Sequence, residues 1–206
     1  NFTHYTNKVL LIPEKNKIGS VEGYPGFANG SKFVGEGLPF NTFYLKKYAG
    51  VDHETGLSMW YRDEYDDNGN VVGQTKTSTY EEASYYLCGN PVPALYGGFG
   101  TSLSFHGFDV ALAFTYSVGG KAYDSGYASF MSSPTATSKG FNFHKDVFKA
   151  WTPDNKDSDI PRHYFGDQYT TAGSDRFLTD ASWLNFQNAQ VGYTIPERLT
   201  SRIKVS

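Results

Sequence analysis

Residues 94–118, ALYGGFGTSLSFHGFDVALAFTYSV, read as a β-hairpin with two legible faces. His106-Gly107 supplies a two-residue turn, since Gly takes φ > 0 freely and His tolerates it better than most side chains. Such a turn sets Phe105 against Phe108, and every other pair follows. One face then carries Leu95, Gly97, Phe99, Thr101, Leu103 and Phe105 opposite Val118, Tyr116, Phe114, Leu112, Val110 and Phe108. The other carries Tyr96, Gly98, Gly100, Ser102 and Ser104 opposite Ser117, Thr115, Ala113, Ala111 and Asp109. A broad apolar face therefore backs onto small residues with one charge, Asp109. Each strand has the length of a tilted bilayer-crossing strand, roughly 9–11 residues.

Two media suit this hairpin. An ordinary antiparallel sheet would press its apolar face on a protein core and wet the other. Wet faces are rich in Lys, Glu, Asp and Arg, whereas this one is Gly, Ala, Ser and Thr. The apolar face is also aromatic near both ends, as an interfacial girdle requires. We therefore expect Phe99, Leu103, Phe108, Val110, Leu112 and Phe114 to face lipid. Gly98, Gly100, Ser102, Ser104, Ala111 and Ala113 are expected to face a lumen.

Composition agrees. The 206 residues include 16 Tyr, 16 Phe, 22 Gly and only 2 Met, while mean hydropathy is only −0.48. Aromatic-rich β-structure with long polar loops has this balance. A net charge of −3 offers no basic field for nucleic acid. No apolar run approaches the roughly 18 residues of a membrane-spanning helix. Cys88 is single, which excludes an internal disulfide and a cysteine-based zinc site. The segment NFTHYTNKVLLI does not resemble a secretory leader. The two Asn-X-Ser/Thr sequons, at Asn1 and Asn29, read as chance.

Along the chain, 5–12 reads as a strand end broken by Pro13, and 14–37 as loop. Residues 38–52 and 57–63 read as a hairpin about the turn His53–Gly56, with Lys46 and Lys47 on opposite faces. Residues 66–70 read as a hairpin tip; as a calcium loop they fail, because Thr75 stands where a bidentate Glu is needed. Residues 142–151 suggest a short helix capped by Asn142, with Val147, Phe148 and Trp151 on one side and Pro153 as its stop. Trp151 reads as structural. Residues 183–195 form a strand with a bulge near Asn188, where the apolar set changes parity, and 202–206 start another.

Short turns at 106–107 and 196–201 imply long loops at 13–93 and 119–182 on the extracellular side. That arrangement gives about four full strands, fewer than the roughly 8 of the smallest spanning barrels. Open edges are prohibitive in lipid, so the expected fold is all-β: part of a large antiparallel transmembrane barrel that does not close alone.

An ordered series of short motifs supports this. It begins with Asn7-Lys8-Val9, Val34-Gly35-Glu36-Gly37-Leu38-Pro39 and Tyr48-Ala49-Gly50-Val51-Asp52 with Glu54-Thr55-Gly56. It continues through Gly89-Asn90-Pro91-Val92-Pro93, Tyr96-Gly97-Gly98-Phe99 and Gly107-Phe108-Asp109. Trp151-Thr152-Pro153, Asp159-Ile160-Pro161-Arg162, Ser174-Asp175-Arg176-Phe177 and Gly192-Tyr193-Thr194-Ile195-Pro196 complete it. In this order the chain resembles the C-terminal barrel segment of SusC/RagA-type TonB-dependent transporters. The resemblance implies a barrel of about 22 strands around a plug, set in the bacterial outer membrane and in contact with its lipid. It implies import of oligosaccharides, or of peptides in some members. It also implies a SusD-like lipoprotein over the extracellular mouth, and TonB coupling through an N-terminal part outside this chain.

Cargo contact would fall to loop aromatics, with Trp60, Tyr61, Tyr164, Phe165 and Tyr169 as candidates. No cofactor or metal is implied. Catalysis is not expected, since the five histidines (His4, His53, His106, His144 and His163) are scattered along the chain. A pair such as His144 and Asp146 has the wrong spacing for one helical face. The alternative is a soluble β-sandwich adhesin, which requires a second sheet over the apolar hairpin face.

Overall fold

A computed structural model describes residues 1–135 and 142–201. They divide into two units. One comprises Asn1–Thr6, Val92–Gly120 and the chain from Asp180 on, and the other Asn7–Pro91 with Lys121–Thr179. In chain order, β1 (Phe2–His4) opens the first unit. The second continues with β2 (Gly19–Val21), β3 (Tyr24–Asn29), β4 (Lys32–Gly35) and β5 (Thr42–Lys46). Next come β6 (Tyr48–Val51), β7 (Ser58–Tyr65), β8 (Val71–Thr77) and β9 (Tyr85–Leu87). The chain returns to the first unit with β10 (Leu95–Phe105) and β11 (Phe108–Val118). After β12 (Lys121–Tyr123) and its partner β13 (Leu178–Asp180), β14 (Trp183–Tyr193) completes the series.

The first unit is one antiparallel sheet in the order β1-β10-β11-β14. All eleven residues of β10 pair with β11 in the register set by the turn, from Leu95 with Val118 to Phe105 with Phe108. His106 and Gly107 both have positive φ, +49° and +85°, the type I′ geometry that matches strand twist. Between β11 and β14, Ala113 pairs with Asn188 but Phe114 with Phe186. Gln187 is the bulged residue, one position from the expected site.

Three strands of this sheet are full length, and β1 has three residues. Residues 5–12 are not a strand, contrary to expectation. Val9 instead exchanges backbone hydrogen bonds with Gly37 and Leu38, and Glu36 Oε1 accepts the Ile12 N–H at 2.7 Å. Those contacts draw the segment into the second unit, where Ile12 is buried.

The second unit holds a sheet in the order β2-β3-β4-β5-β9 and another in the order β6-β7-β8. Residues 14–37, expected as loop, contain the β2–β4 meander. Its tight turns rest on positive φ at Glu22 (+50°), Gly23 (+84°) and Gly30 (+58°), so a Gly-rich composition here marks hairpins. A Cβ at Gly26 would stand 2.1 Å from Val34 O, so only glycine lets these two strands meet. The expected strand 38–52 breaks at Lys47 into β5 and β6, which join different sheets. β6 and β7 do form the hairpin about residues 53–56, and 66–70 is the β7–β8 tip. There Asp66 Oδ1 accepts the Asn68 and Asn70 N–H groups at 2.9 and 2.8 Å, and Asn70 holds that carboxyl below its ordinary pKa.

Residues 142–151 are not an Asn142-capped α-helix. Lys145–Lys149 is a 3-10 helix, and the His144 ring accepts the Asp146 N–H. Phe148 is 94% exposed, so Val147, Phe148 and Trp151 do not share a buried side. Trp151 is structural, as expected. Its indole donates to His53 O at 2.9 Å, and its ring lies on Gly56, where a Cβ would come within 2.4 Å at φ +72°. Gly56→Ala should therefore cost about 1–3 kcal/mol, read as a lower unfolding midpoint of the purified full-length protein. Residues 196–201 enclose one helical turn, Glu197–Thr200. The strand expected at 202–206 lies outside the described residues.

Candidate functional site

Among the described residues, every buried apolar side chain belongs to the second unit: Ile12, Phe33, Leu38, Phe43, Leu45, Trp60, Ala83, Ala128, Met131, Ala150 and Phe177. The first unit has no such core. Its apolar side chains stand open, with Phe99 at 55%, Leu103 at 67% and Val191 at 72% exposure. β14 extends the face predicted from the hairpin. Leu184 lies beside Tyr116, Phe186 beside Phe114, Ala189 beside Leu112, Val191 beside Val110 and Tyr193 beside Phe108.

Aromatic rings bound this face at both ends. Phe99 stacks on Phe114 at 5.0 Å, and Phe114 meets Phe186 at 5.1 Å. At the other end Phe108 meets Tyr193 at 4.5 Å. The rows between hold Leu103, Val110, Val191, Leu112 and Ala189, with Thr101 as their one hydroxyl. No charged side chain occurs on these rows, and open apolar patches of this kind mark contact with a membrane or another protein.

Beyond Tyr96 and Trp183, which flank Ser117 at its open end, the reverse face is small and polar. β14 adds Asn185, Asn188 and Gln190 to it, opposite Thr115, Ala113 and Ala111. The bulged Gln187 donates to Thr115 Oγ1 at 3.0 Å. Ser104 Oγ donates to Asp109 Oδ1 at 2.6 Å, which partners the one charge of the hairpin. The amide row is a feature that hairpin patterning alone did not reach; its signal is the run of Asn and Gln in 185–190.

The five aromatic candidates fall in the second unit but do not form one surface. Trp60 is 1% exposed, with Tyr80 edge-on at 5.2 Å, Tyr169 at 6.4 Å and Tyr48 at 6.5 Å. It is core here, not accessible surface. Tyr61 is half-buried, with the Lys47 ammonium 5.5 Å from its ring. Tyr164 lies under the Arg162 guanidinium at 4.4 Å. Phe165 is open at 68%. Tyr169 stacks on Tyr80 at 6.0 Å and donates to Glu81 Oε1 at 2.8 Å.

Tyr80, which the sequence did not single out, seals this cluster. Its hydroxyl donates to Gly173 O at 2.8 Å, and burial pushes its pKa up to about 12. The buried Lys46 ammonium sits 4.0 Å over the same ring and donates to Tyr80 O; burial lowers its pKa. The histidines bond mainly to backbone and gather nowhere. His4, His53 and His163 lie against the carbonyls of Ala94, Lys156 and Ser132.

Comparison with known proteins places these features. TonB-dependent receptor P3 of Formosa agariphila is 27% identical over 96% of this chain and 19% of its own length. TonB-dependent receptor P26 of the same organism is 25% identical over 94% of this chain and 20% of its own. The chain thus spans about a fifth of the curated relatives it matches. The RagAB peptide importer in its closed-closed state superposes with a TM-score of 0.65 at 28% identity, covering 84% of this chain and 18% of that one. Its open-open state gives 0.72 over 97% of this chain and 20% of that one, at 24% identity, a likeness of fold. No family model matches. The all-β architecture matches that of about a fifth of the RagAB importer chain.

Proposed function

We propose that this chain, similar over nearly its whole length to TonB-dependent receptors and to a part of the RagAB importer, is part of the wall and extracellular loops of a SusC/RagA-type outer-membrane importer of nutrient oligomers. One observation carries the reading: three eleven-residue strands present an open, charge-free apolar face with aromatic ends and no buried core beneath it. Water would penalise that face by about 25 cal/mol per Å2, and lipid removes the penalty. In this reading the second unit, drawn from the long segments 13–93 and 119–182, is the extracellular excursion. A SusD-like lipoprotein caps it, and TonB engages a part outside this chain.

Oligosaccharides are the first cargo. Open rings at Tyr164, Phe165 and Tyr169 beside polar loop groups suit the apolar faces of sugars. Peptides are the second reading, favoured by the 28% identity to a peptide importer. Cells carrying or lacking the full-length gene, given fluorescent oligosaccharides and peptides of matched size, decide between them. Gene-dependent uptake of the sugars alone is expected. Uptake of peptides alone would reverse the order, and equal accumulation of both cargoes in both strains would remove the import reading.

A further inference from the structure

The second unit contains a half-open cavity of about 360 Å3 whose wall includes Glu22, Lys47, Cys88, Gly89, Lys121 and Asp175. Two cations and two anions cancel formally, but their commitments differ. Glu22 Oε1 accepts the Leu87 N–H at 3.0 Å, and Asp175 Oδ1 accepts the Tyr48 N–H at 2.7 Å. Each carboxylate thus already serves a backbone donor.

The ammonium groups have no such duty. The ion pairs among the described residues use Lys17, His53, Arg62, His144, Lys149 and Lys156, and neither Lys47 nor Lys121. Both are nevertheless placed. Lys47 Nζ stands 5.5 Å and 5.9 Å from the Tyr61 and Tyr86 ring centres. The Lys121 stem lies flat on Gly89, where a Cβ would meet its Cδ and Cε at 3.3 Å and φ is +90°. Cys88, on the same wall, is uncharged, since burial pushes its thiol up to about 11.

We propose that this cavity binds one acidic residue of an oligomeric cargo, with its carboxylate or sulfate between Lys47 and Lys121. The oxygens of Glu22 and Asp175 not used by backbone then accept hydroxyl or amide hydrogens of the same residue. The volume lies at the small end of ligand pockets, about 300–1,000 Å3, which suits one residue with the rest of the chain outside. The inference rests on the import reading only for how such a molecule arrives.

The test is calorimetric titration of purified full-length protein with digalacturonate, its uncharged dimethyl ester, N-acetyl-aspartate amide and inorganic sulfate. At least one charged probe is expected to bind, more weakly as salt rises from roughly 50 to 500 mM because exposed charges are screened. The probe that binds identifies the source: sugar acid, acidic peptide or sulfate. Lys47→Gln with Lys121→Gln should weaken it by about ten-fold or more, equivalent to 1.4 kcal/mol. Both lysines are exposed, so the variants should keep the wild-type unfolding midpoint. Gly89→Ala, which displaces the Lys121 stem without changing charge, should weaken binding in the same direction. Equal binding of acid and ester, no binding of any charged probe, or an unchanged double variant overturns the proposal. Uptake of neutral oligomers without acid binding would sink the site and leave the importer; acid binding without uptake would do the reverse.

Discussion

Leu103→Arg should destabilise the folded full-length protein in lipid vesicles by about 2–4 kcal/mol, the cost of a cation near the bilayer midplane. The informative comparison is Val72→Arg. The two side chains are almost equally open, Leu103 at 67% and Val72 at 65%, so exposure alone predicts equal effects. They differ in the medium they are read to meet. Leu103 sits in the row with Val110 and Val191, between the aromatic ends of the sheet, whereas Val72 lies on β8 of the second unit. In water an open Leu→Arg change is worth about 0.5 kcal/mol or less, and that is the expectation for Val72→Arg. Urea titration of vesicle-inserted protein gives both values. A Leu103→Arg penalty no larger than that of Val72→Arg would show that water, not hydrocarbon, touches this face.

The second large effect belongs to Trp60. Truncating a fully buried Trp to Ala leaves a void and loses ring contacts, at about 3–5 kcal/mol. Tyr48, Tyr80 and Tyr169 all lean on that ring, so the loss should spread to the 164–177 segment. Hydrogen exchange on the full-length protein should show faster exchange in 58–65 and 169–177, with β10 and β11 unchanged. Phe148→Ala, at a ring 94% exposed, should change stability by about 0.5 kcal/mol at most. Trp60→Phe separates packing from polarity. The Trp60 indole N–H is buried without a hydrogen-bond partner, so Phe removes an unpaired donor and should cost far less than Ala. Equal losses for Trp60→Ala and Phe148→Ala would contradict the cluster described.

These two residues also mark where the sequence is transparent and where it is not. Leu103 belongs to a long hairpin with a glycine turn; period-2 alternation over eleven residues fixes its pairing and face without tertiary help. The change of apolar parity in 183–195 likewise located the bulge to within one residue. Trp60 is different. Nothing local distinguishes a tryptophan on an open strand from one roofed by Tyr80 and Tyr169, because the roof comes from residues 20 and more than 100 positions away. Three-residue strands such as β2 and β9 escape for a related reason: too short to show a period, they exist through pairing with β3 and β5. His144 replaced Asn142 as cap because the ring nitrogen reaches the Asp146 N–H, a competition that residue preference cannot resolve. Lys47 and Lys121 stand 74 positions apart in the sequence, and only the folded second unit brings them to one cavity.

The alternation in β10, β11 and β14 has a consequence for biogenesis. Because oily and small or polar side chains take turns along the backbone, no linear stretch is greasy enough to be retained as a helix, which needs about 20 consecutive apolar residues. An export channel reading the extended polypeptide meets a bland sequence. In the importer reading, affinity for hydrocarbon arises only after neighbouring strands zip together and sort their side chains, so export would come before insertion.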